Sequence, residues 1–310
     1  MNASLETAIG PLRLKNPVMP ASGTYDWFGS DTPQVSAGLL GAIVTKSVTL
    51  EPQSGNPPIR VAETPSGMLN AIGIPSVGLE VFMEEVIPEY RALDTAVIVS
   101  VQAYSPQECE QMVARLGEEP RVDAVELNLS CPNLAHGVIT AQSAELSAEM
   151  VTAARRATSL PVIAKLSPNV TSIAEIALAV EESGADALCL INTVKGMAVD
   201  AETKRALLGN RSGGLSGPAI KPIALCMVWE CYQEVGIPII GVGGIVTAED
   251  AVQFLLAGAR AVQVGTVTFR EPRAMAQIVA GLREYLAAEG LGSVGELVGW
   301  CHRERLTVGS

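Results

Sequence analysis

Eight short apolar runs of the buried-strand type recur along this chain, over residues 17–21, 42–46, 97–102, 124–128, 162–166, 187–191, 237–241 and 261–264. Helix-period segments separate most of them, over 106–116, 144–158, 173–183, 218–235, 248–256 and 273–288. Several of the strand runs are continuous in Val and Ile instead of alternating with polar residues, which suits strands covered on both faces of a parallel sheet. Strand and helix taken in turn eight times over close most simply as a (β/α)8 TIM barrel. The 310 residues suit one such domain, so a single α/β barrel over 1–310 is expected, with a short hairpin around Gly10-Pro11 ahead of the first barrel strand.

Two stretches break the rhythm: 49–76, rich in Pro, Gly and Asn, and 195–217, polar and rich in glycine. Each is too long for an ordinary βα connection. Both follow the C-terminal ends of strands, where barrels of this kind carry their sites, so they are expected as long loop insertions that cover substrate.

Composition excludes several classes. With 21 Lys and Arg against 33 Asp and Glu, the net charge is -12, which repels a phosphate backbone over most of the surface, so no nucleic-acid partner is expected. No apolar run approaches the roughly 18 to 20 residues of a membrane span, and the start Met1-Asn-Ala-Ser-Leu-Glu-Thr has neither a basic opening nor an apolar signal core. A cytoplasmic protein without a membrane partner is the expectation. The six cysteines, at 109, 131, 189, 226, 231 and 301, form no C-x-x-C pair, so neither a disulfide framework nor a metal site is indicated.

Polar residues fall where a barrel mouth would use them: Ser22 after the first strand, Lys46 and Ser47 after the second, Asn128 after the fourth, Lys165 on the fifth, Asn192 and Thr193 after the sixth. One lysine at a strand end is ordinarily an ion-pair residue. Two inside apolar runs are different, because a buried ammonium is costly without an anion to meet it. After the seventh and eighth strands, Gly241-Val-Gly-Gly-Ile245 and Val264-Gly-Thr266 stand where barrels bind phosphate through backbone N–H groups, although tight turns alone would explain the glycines. A further glycine-rich loop, Gly213-Gly-Leu-Ser-Gly-Pro218, leads into a helix. Cys131 lies just past the fourth strand among Asn128, Ser130, Pro132 and Asn133, a polar setting for a reactive thiol. His136 is the one histidine near it, and His302 reads as a surface residue.

Taken together, Lys46-Ser-Val-Thr, Asn70-Ala-Ile-Gly-Ile-Pro, Asn128-Leu-Ser-Cys-Pro-Asn, Ala164-Lys-Leu-Ser-Pro-Asn, Ile191-Asn-Thr, Gly214-Leu-Ser-Gly-Pro-Ala-Ile-Lys-Pro, Gly241-Val-Gly-Gly-Ile and Val264-Gly-Thr resemble the class 1 dihydroorotate dehydrogenases. The match runs in order along nearly the whole chain, and the stretch from Asn192 to Gly244 looks most like class 1B. The resemblance implies oxidation of dihydroorotate to orotate in pyrimidine synthesis, with Cys131 as the base toward C5 and FMN as hydride acceptor from C6. Lys165 would sit beside the flavin N1–O2 edge and stabilise the reduced ring, and Lys46 would face flavin and the substrate carboxylate. FMN would be held by Ser22, Lys46, Ser47, Ser100, Asn128, Lys165, Ile191, Gly217, Gly243, Gly244, Gly265 and Thr266, the last four around its phosphate. Substrate would meet Lys46, the run Asn70, Ala71, Ile72, Gly73 and Ile74, then Asn128, Asn133, Asn192 and Thr193, whose amides suit a ring edge carrying donors and acceptors.

Class 1B also implies a homodimer within a heterotetramer, the partner subunit carrying FAD and a 2Fe-2S cluster and passing electrons to NAD. This chain has no cluster-type cysteine spacing or dinucleotide fingerprint of its own. One departure stands out: the family pattern places an asparagine where this chain has Ser100, in Val97-Ile-Val-Ser-Val-Gln-Ala-Tyr104. Three other readings stay open on the residues: a class 1A-like homodimer that reduces fumarate directly, a lyase using Lys165 as a Schiff-base amine, and a non-enzymatic barrel that binds a phosphate ligand.

Overall fold

The computed structural model describes residues 3–25, 37–130 and 140–303. A hairpin of β1 (Thr7–Ile9) and β2 (Leu12–Leu14) turns at Gly10, whose φ of 55° suits the residue without a Cβ. Then come β3 (Val18–Pro20), β4 (Ala42–Val44), a hairpin of β5 (Val61–Thr64) and β6 (Gly67–Asn70), and β7 (Ala96–Val101). The chain continues through β8 (Ala124–Asn128), β9 (Val162–Leu166) and β10 (Ala187–Leu190). An excursion holds β11 (Val194–Met197), β12 (Val199–Asp200), β13 (Arg205–Ala206) and β14 (Ser212–Ser216), and β15 (Ile239–Val242) and β16 (Ala259–Val264) complete the set.

Eight of these form one all-parallel sheet in the order β3-β16-β15-β10-β9-β8-β7-β4, the TIM barrel expected from the alternation. Each expected strand run overlaps one of these strands. The sheet curls until its two edges meet, where Gly41 N–H donates to Val18 O at 2.9 Å. A Cβ on Gly41 would lie 1.9 Å from Asn16 O, so only glycine lets the edges approach this closely. Buried Asn16 fastens the same seam, accepting from Val18 N–H at 3.1 Å and donating to Leu39 O at 2.9 Å.

Side chains alternate along each strand and so fill two separate cores. Met19, Val44, Ile98, Ala124, Ile163, Cys189, Ile240 and Ala261 pack inside the barrel with Ile9 and Leu14 of the first hairpin, which thereby plugs one end. Val99, Val125, Val162, Leu188 and Val262 face outward onto the helices.

After a helical turn α1 (Leu79–Val81) that runs on irregularly to Ala92, the helices are α2 (Pro106–Gly117), α3 (Ala144–Ala157), α4 (Ile173–Glu182), α5 (Lys221–Glu234), α6 (Ala248–Leu256) and α7 (Ala274–Glu289). Ser105, Ser143 and Ser172 cap three of them by accepting a backbone N–H of the first turn. Thr247 and Asp250 form a capping box on α6. None of the helices among the described residues is long and apolar enough to cross a membrane.

Three expectations need correction. The stretches 49–76 and 195–217 are not separate loops: β11, β14, β6 and β5 pair into one antiparallel sheet in that order, with Gly214 opposite Asn70. The segment 213–217, expected as a loop, is mostly strand β14, and the helix expected from Pro218 begins as a 3-10 turn over Pro218–Ile220 and becomes α-helical at Lys221. His302 is not a free surface residue, because its ring lies 5.1 Å from that of Trp229 and 4.6 Å from that of Tyr232, with Nε2 3.0 Å from Ala257 O.

Candidate active site

Three barrel strands contribute one buried polar cluster. Lys165 of β9 points inward, with Nζ 3.4 Å from Glu126 Oε1 on β8 and 3.0 Å from Gln263 Oε1 on β16. Gln263 Nε2 in turn donates to Glu126 Oε2. All three are buried. Burial works against the ammonium, but the Glu126 carboxylate outweighs it and raises the Lys165 pKa above the ordinary lysine value. Cys189, paired in register with Lys165, is pushed well above the ordinary thiol value by burial and then by Glu126, and stays a neutral thiol. Burial likewise pushes Cys109 and Cys231 up to about 12, which removes both as bases near neutral pH.

Lys46 sits beyond the end of β4 and is exposed, yet low enough in the concavity that desolvation, followed by the charge of Lys165, lowers its pKa. Its stem lies across Gly23, where a Cβ would come 2.9 Å from Lys46 Cδ. Beside it runs a chain of three hydroxyls: Ser22 Oγ is 3.2 Å from Ser47 Oγ, which is 2.9 Å from Ser100 Oγ. The chain crosses the barrel seam between β3 and β4 and reaches β7.

A second network joins the ends of β8, β9 and β10. Asn192 Nδ2 donates to Asn128 Oδ1 at 3.2 Å and to Ser130 Oγ at 2.9 Å, while Thr193 N–H donates to Asn192 Oδ1 at 2.8 Å. Asn169 braces the same corner, donating to Thr193 O at 3.0 Å and accepting from Lys195 N–H at 2.8 Å. One edge of each amide is thereby fixed in orientation.

Glycines meet beside it, at the ends of β14 and β15. Gly243 and Gly244 have φ of 136° and 75°, and Gly217 has φ of 96°. A Cβ on Gly244 would fall 2.8 Å from Gly217 O, so the turn after β15 and the turn after β14 touch. Thr266 Oγ1 donates to Ser216 Oγ at 2.8 Å, and a Cβ on Gly243 would stand 3.6 Å from Ile191 Cγ1. The result is a bare backbone cradle with N–H groups and small hydroxyls, the surface that oxyanions bind. Lys221, beside it, is committed to Asp250 at 2.5 Å.

The dihydroorotate dehydrogenase family model matches residues 4–286. The chain belongs to that family. It is also 48% identical over 303 residues to the dihydroorotate dehydrogenase B (NAD(+)) catalytic subunit of Desulforamulus reducens, covering 97% of this chain and 100% of the relative. The proteins of the same name from Trichlorobacter lovleyi and Geobacter sulfurreducens are 46% and 47% identical, covering 96% and 95% of this chain and 99% and 97% of theirs.

For a dihydroorotate dehydrogenase family member, the residues expected around FMN fall into two contiguous groups. Ser22, Lys46, Ser47, Ser100, Asn128 and Lys165 sit along one arc, and Ile191, Gly217, Gly243, Gly244, Gly265 and Thr266 sit on or beside the glycine cradle. Both fit that cofactor: a cradle that any side chain would fill suits a phosphate, and a buried ammonium suits an electron-rich ring. Of the residues expected to meet substrate, Asn128, Asn192 and Thr193 form one network, whereas the run 70–74 lies on and beyond β6 in the accessory sheet. There Asn70 Nδ2 donates to Gly214 O at 3.2 Å, and Asn56 holds Ala71 O at 3.0 Å. Cys131, Asn133 and His136 lie outside the described residues. Sequence reading missed Glu126, Gln263 and Asn169. The first two carried the signal that exposed Lys165, a polar residue inside an apolar strand run.

Proposed function

We propose that this chain oxidises dihydroorotate to orotate in pyrimidine synthesis, binding FMN at the barrel mouth and passing electrons to NAD through a partner subunit. The observation that carries the reading is Lys165, a buried ammonium on a barrel strand whose charge is secured by Glu126 and whose position faces the mouth between the hydroxyl chain and the glycine cradle. The names of the three relatives support the NAD-linked branch over direct fumarate reduction. The ion pair also disfavours a Schiff base, which needs a neutral amine.

FMN, when bound, supplies a two-electron acceptor for the hydride from C6 of dihydroorotate. Its phosphate would rest on Gly243, Gly244, Gly265 and Thr266, closed by Gly217, and its ring along Ser22, Lys46, Ser47, Ser100, Asn128, Ile191 and Lys165. Lys46 would meet the substrate carboxylate, and Asn70, Asn128, Asn133, Asn192 and Thr193 the ring edge, with the run 71–74 alongside. The Cys131 thiolate takes the proton from C5 and becomes a thiol. An ordinary thiol is a minor thiolate at neutral pH, so rates rise toward alkaline pH. The partner that accepts the electrons carries FAD and a 2Fe-2S cluster, in a cytoplasmic heterotetramer built on a homodimer of this chain.

The purified chain should show a flavin spectrum that dihydroorotate bleaches without oxygen, and Cys131→Ser should slow bleaching by at least about a hundredfold, the scale of a lost general base. With NAD as sole acceptor the chain alone should form no NADH. A colourless protein that does not take up FMN, or unchanged bleaching in the variant, would overturn the reading.

A further inference from the structure

Gln102 is fully buried, and its amide oxygen has no hydrogen-bond partner among the described residues. Its Nε2 donates to Ala103 O at 3.2 Å, which settles the two ends of the amide: the unmatched end is the acceptor. Leaving a buried acceptor unpaired is costly, and such groups in folded proteins call for a specific explanation.

The position of Gln102 supplies one. Val48 N–H donates to Ser100 O at 2.9 Å and Gln102 N–H to Val48 O at 2.8 Å, so the ladder of β7 continues one residue past the strand. Alternation puts Val97, Val99 and Val101 against the helices. The other face carries Ile98 in the barrel interior, then Ser100 bonded to Ser47, then Gln102 one layer nearer the mouth, a rise of roughly 6.6 Å from Ser100. At position 100 the family pattern has an asparagine, and here a serine fills its place with its hydroxyl already engaged. The amide absent from 100 stands on the same face at 102, on a longer side chain.

We propose that Gln102 Oε1 accepts a hydrogen bond from the imide N–H of a ligand in the mouth, a group that the isoalloxazine ring of FMN and dihydroorotate both carry. The proposal rests on the reading that these two molecules bind here, and assigns a contact that the family pattern does not place at this position. Oε1 is left over by the fold because its donor comes with the ligand.

Gln102→Met keeps the length and volume of the side chain and removes the acceptor; Gln102→Leu is a second apolar variant should the first fold poorly. Three quantities are measured on the full-length chain: the thermal midpoint of the apoprotein, FMN affinity by fluorescence quenching on reconstitution, and orotate affinity by perturbation of the holoprotein spectrum. The apoprotein midpoint should equal or exceed that of the wild type, because no buried acceptor is left unmatched. One affinity should fall roughly tenfold, the scale of one uncharged hydrogen bond. A weaker FMN complex identifies the flavin imide as the donor, and weaker orotate with unchanged FMN identifies the substrate imide. Both affinities unchanged, or a lowered midpoint with general loss of binding as for a purely structural side chain, would overturn the proposal. A wild type that binds neither ligand overturns the functional reading as well, whereas a wild type that binds both as the variants do overturns this inference alone.

Discussion

A charge inside a barrel has to be answered by another, and here the answer comes from within the chain. Lys165 was legible in the sequence as a cation in an apolar run, but the anion expected to meet it was a ligand. Glu126 fills that role on the neighbouring strand, and Gln263 bridges the two. All three residues interrupt otherwise apolar strand runs, so the sequence held the signal three times, and what it lacked was which side chains turn inward to meet: β8 and β9 are neighbours, but β16 stands three places from β9 in the sheet. The electrostatics yield a pH prediction. With Glu126 present the folded pKa of Lys165 is raised, so its stabilising charge is complete below the ordinary 10.5 and is lost only above the raised value. In Glu126→Gln the carboxylate is gone and burial dominates, which drops the pKa below 10.5. The ratio of variant to wild-type flavin reduction by dihydroorotate should therefore decline as pH rises from 7 toward 10, by on the order of tenfold, the cost of one uncompensated charge interaction of about 1.4 kcal/mol. Taking the ratio cancels the thiolate dependence common to both proteins. A pH-independent ratio would show that Glu126 does not hold the proton on Lys165.

At the scale of elements, the barrel strands and helices were readable because their signals are periodic and local, whereas the two excursions were read as loops. The reason lies in their composition. Ser212-Gly-Gly-Leu-Ser216 has too few side chains to show alternation, and β5 and β6 are four residues each around a Pro65-Ser66 turn. Their pairing is also between segments some 140 residues apart, which no local pattern reveals. The consequence is mechanical: the accessory sheet meets the network of Asn128, Asn192 and Thr193 through Lys195, whose N–H donates to Asn169, and through Gly214, whose carbonyl accepts from Asn70 Nδ2 and whose Cα faces Thr193. A Cβ there would lie 2.0 Å from Thr193 Oγ1. Gly214→Ala should push Thr193 and the bonded Asn192 out of place. The expected result is a fall in kcat/KM for dihydroorotate of roughly tenfold to a hundredfold, the scale of a displacement near 1 Å, with flavin retained and far-UV circular dichroism unchanged. Wild-type kcat/KM in this variant would mean that the accessory sheet does not position the residues proposed to meet substrate.

For the molecule as a whole, closing the barrel is also what brings Ser22 beside Ser47 and Ser100. The sequence announced eight strands but not how the first two, β3 and β4, meet at the seam, since that contact is one of backbone, Gly41 against Asn16 and Val18, with no periodic signature. Ser22 follows one side of the seam and Lys46 and Ser47 follow the other, so the 3.2 Å contact between the two serines exists only in the closed barrel. Asn16→Ala removes the acceptor of Val18 N–H and the donor to Leu39 O, at a cost of about 1–3 kcal/mol for the buried N–H left without a partner. Leu282→Ala, in the buried face of α7, costs a comparable 2–5 kcal/mol, roughly, by opening a cavity between helix and sheet. The two variants should lower the denaturation midpoint of the apoprotein to similar extents and yet separate in FMN affinity, measured well below either midpoint. Asn16→Ala should weaken FMN by roughly tenfold or more, because loosening the seam moves Ser22 relative to Ser47 and costs at least one hydrogen bond to the ligand. Leu282→Ala should leave it near wild type. Equal affinities in the two variants would mean that the hydroxyl arc holds its shape independently of the seam, and that closure serves stability alone.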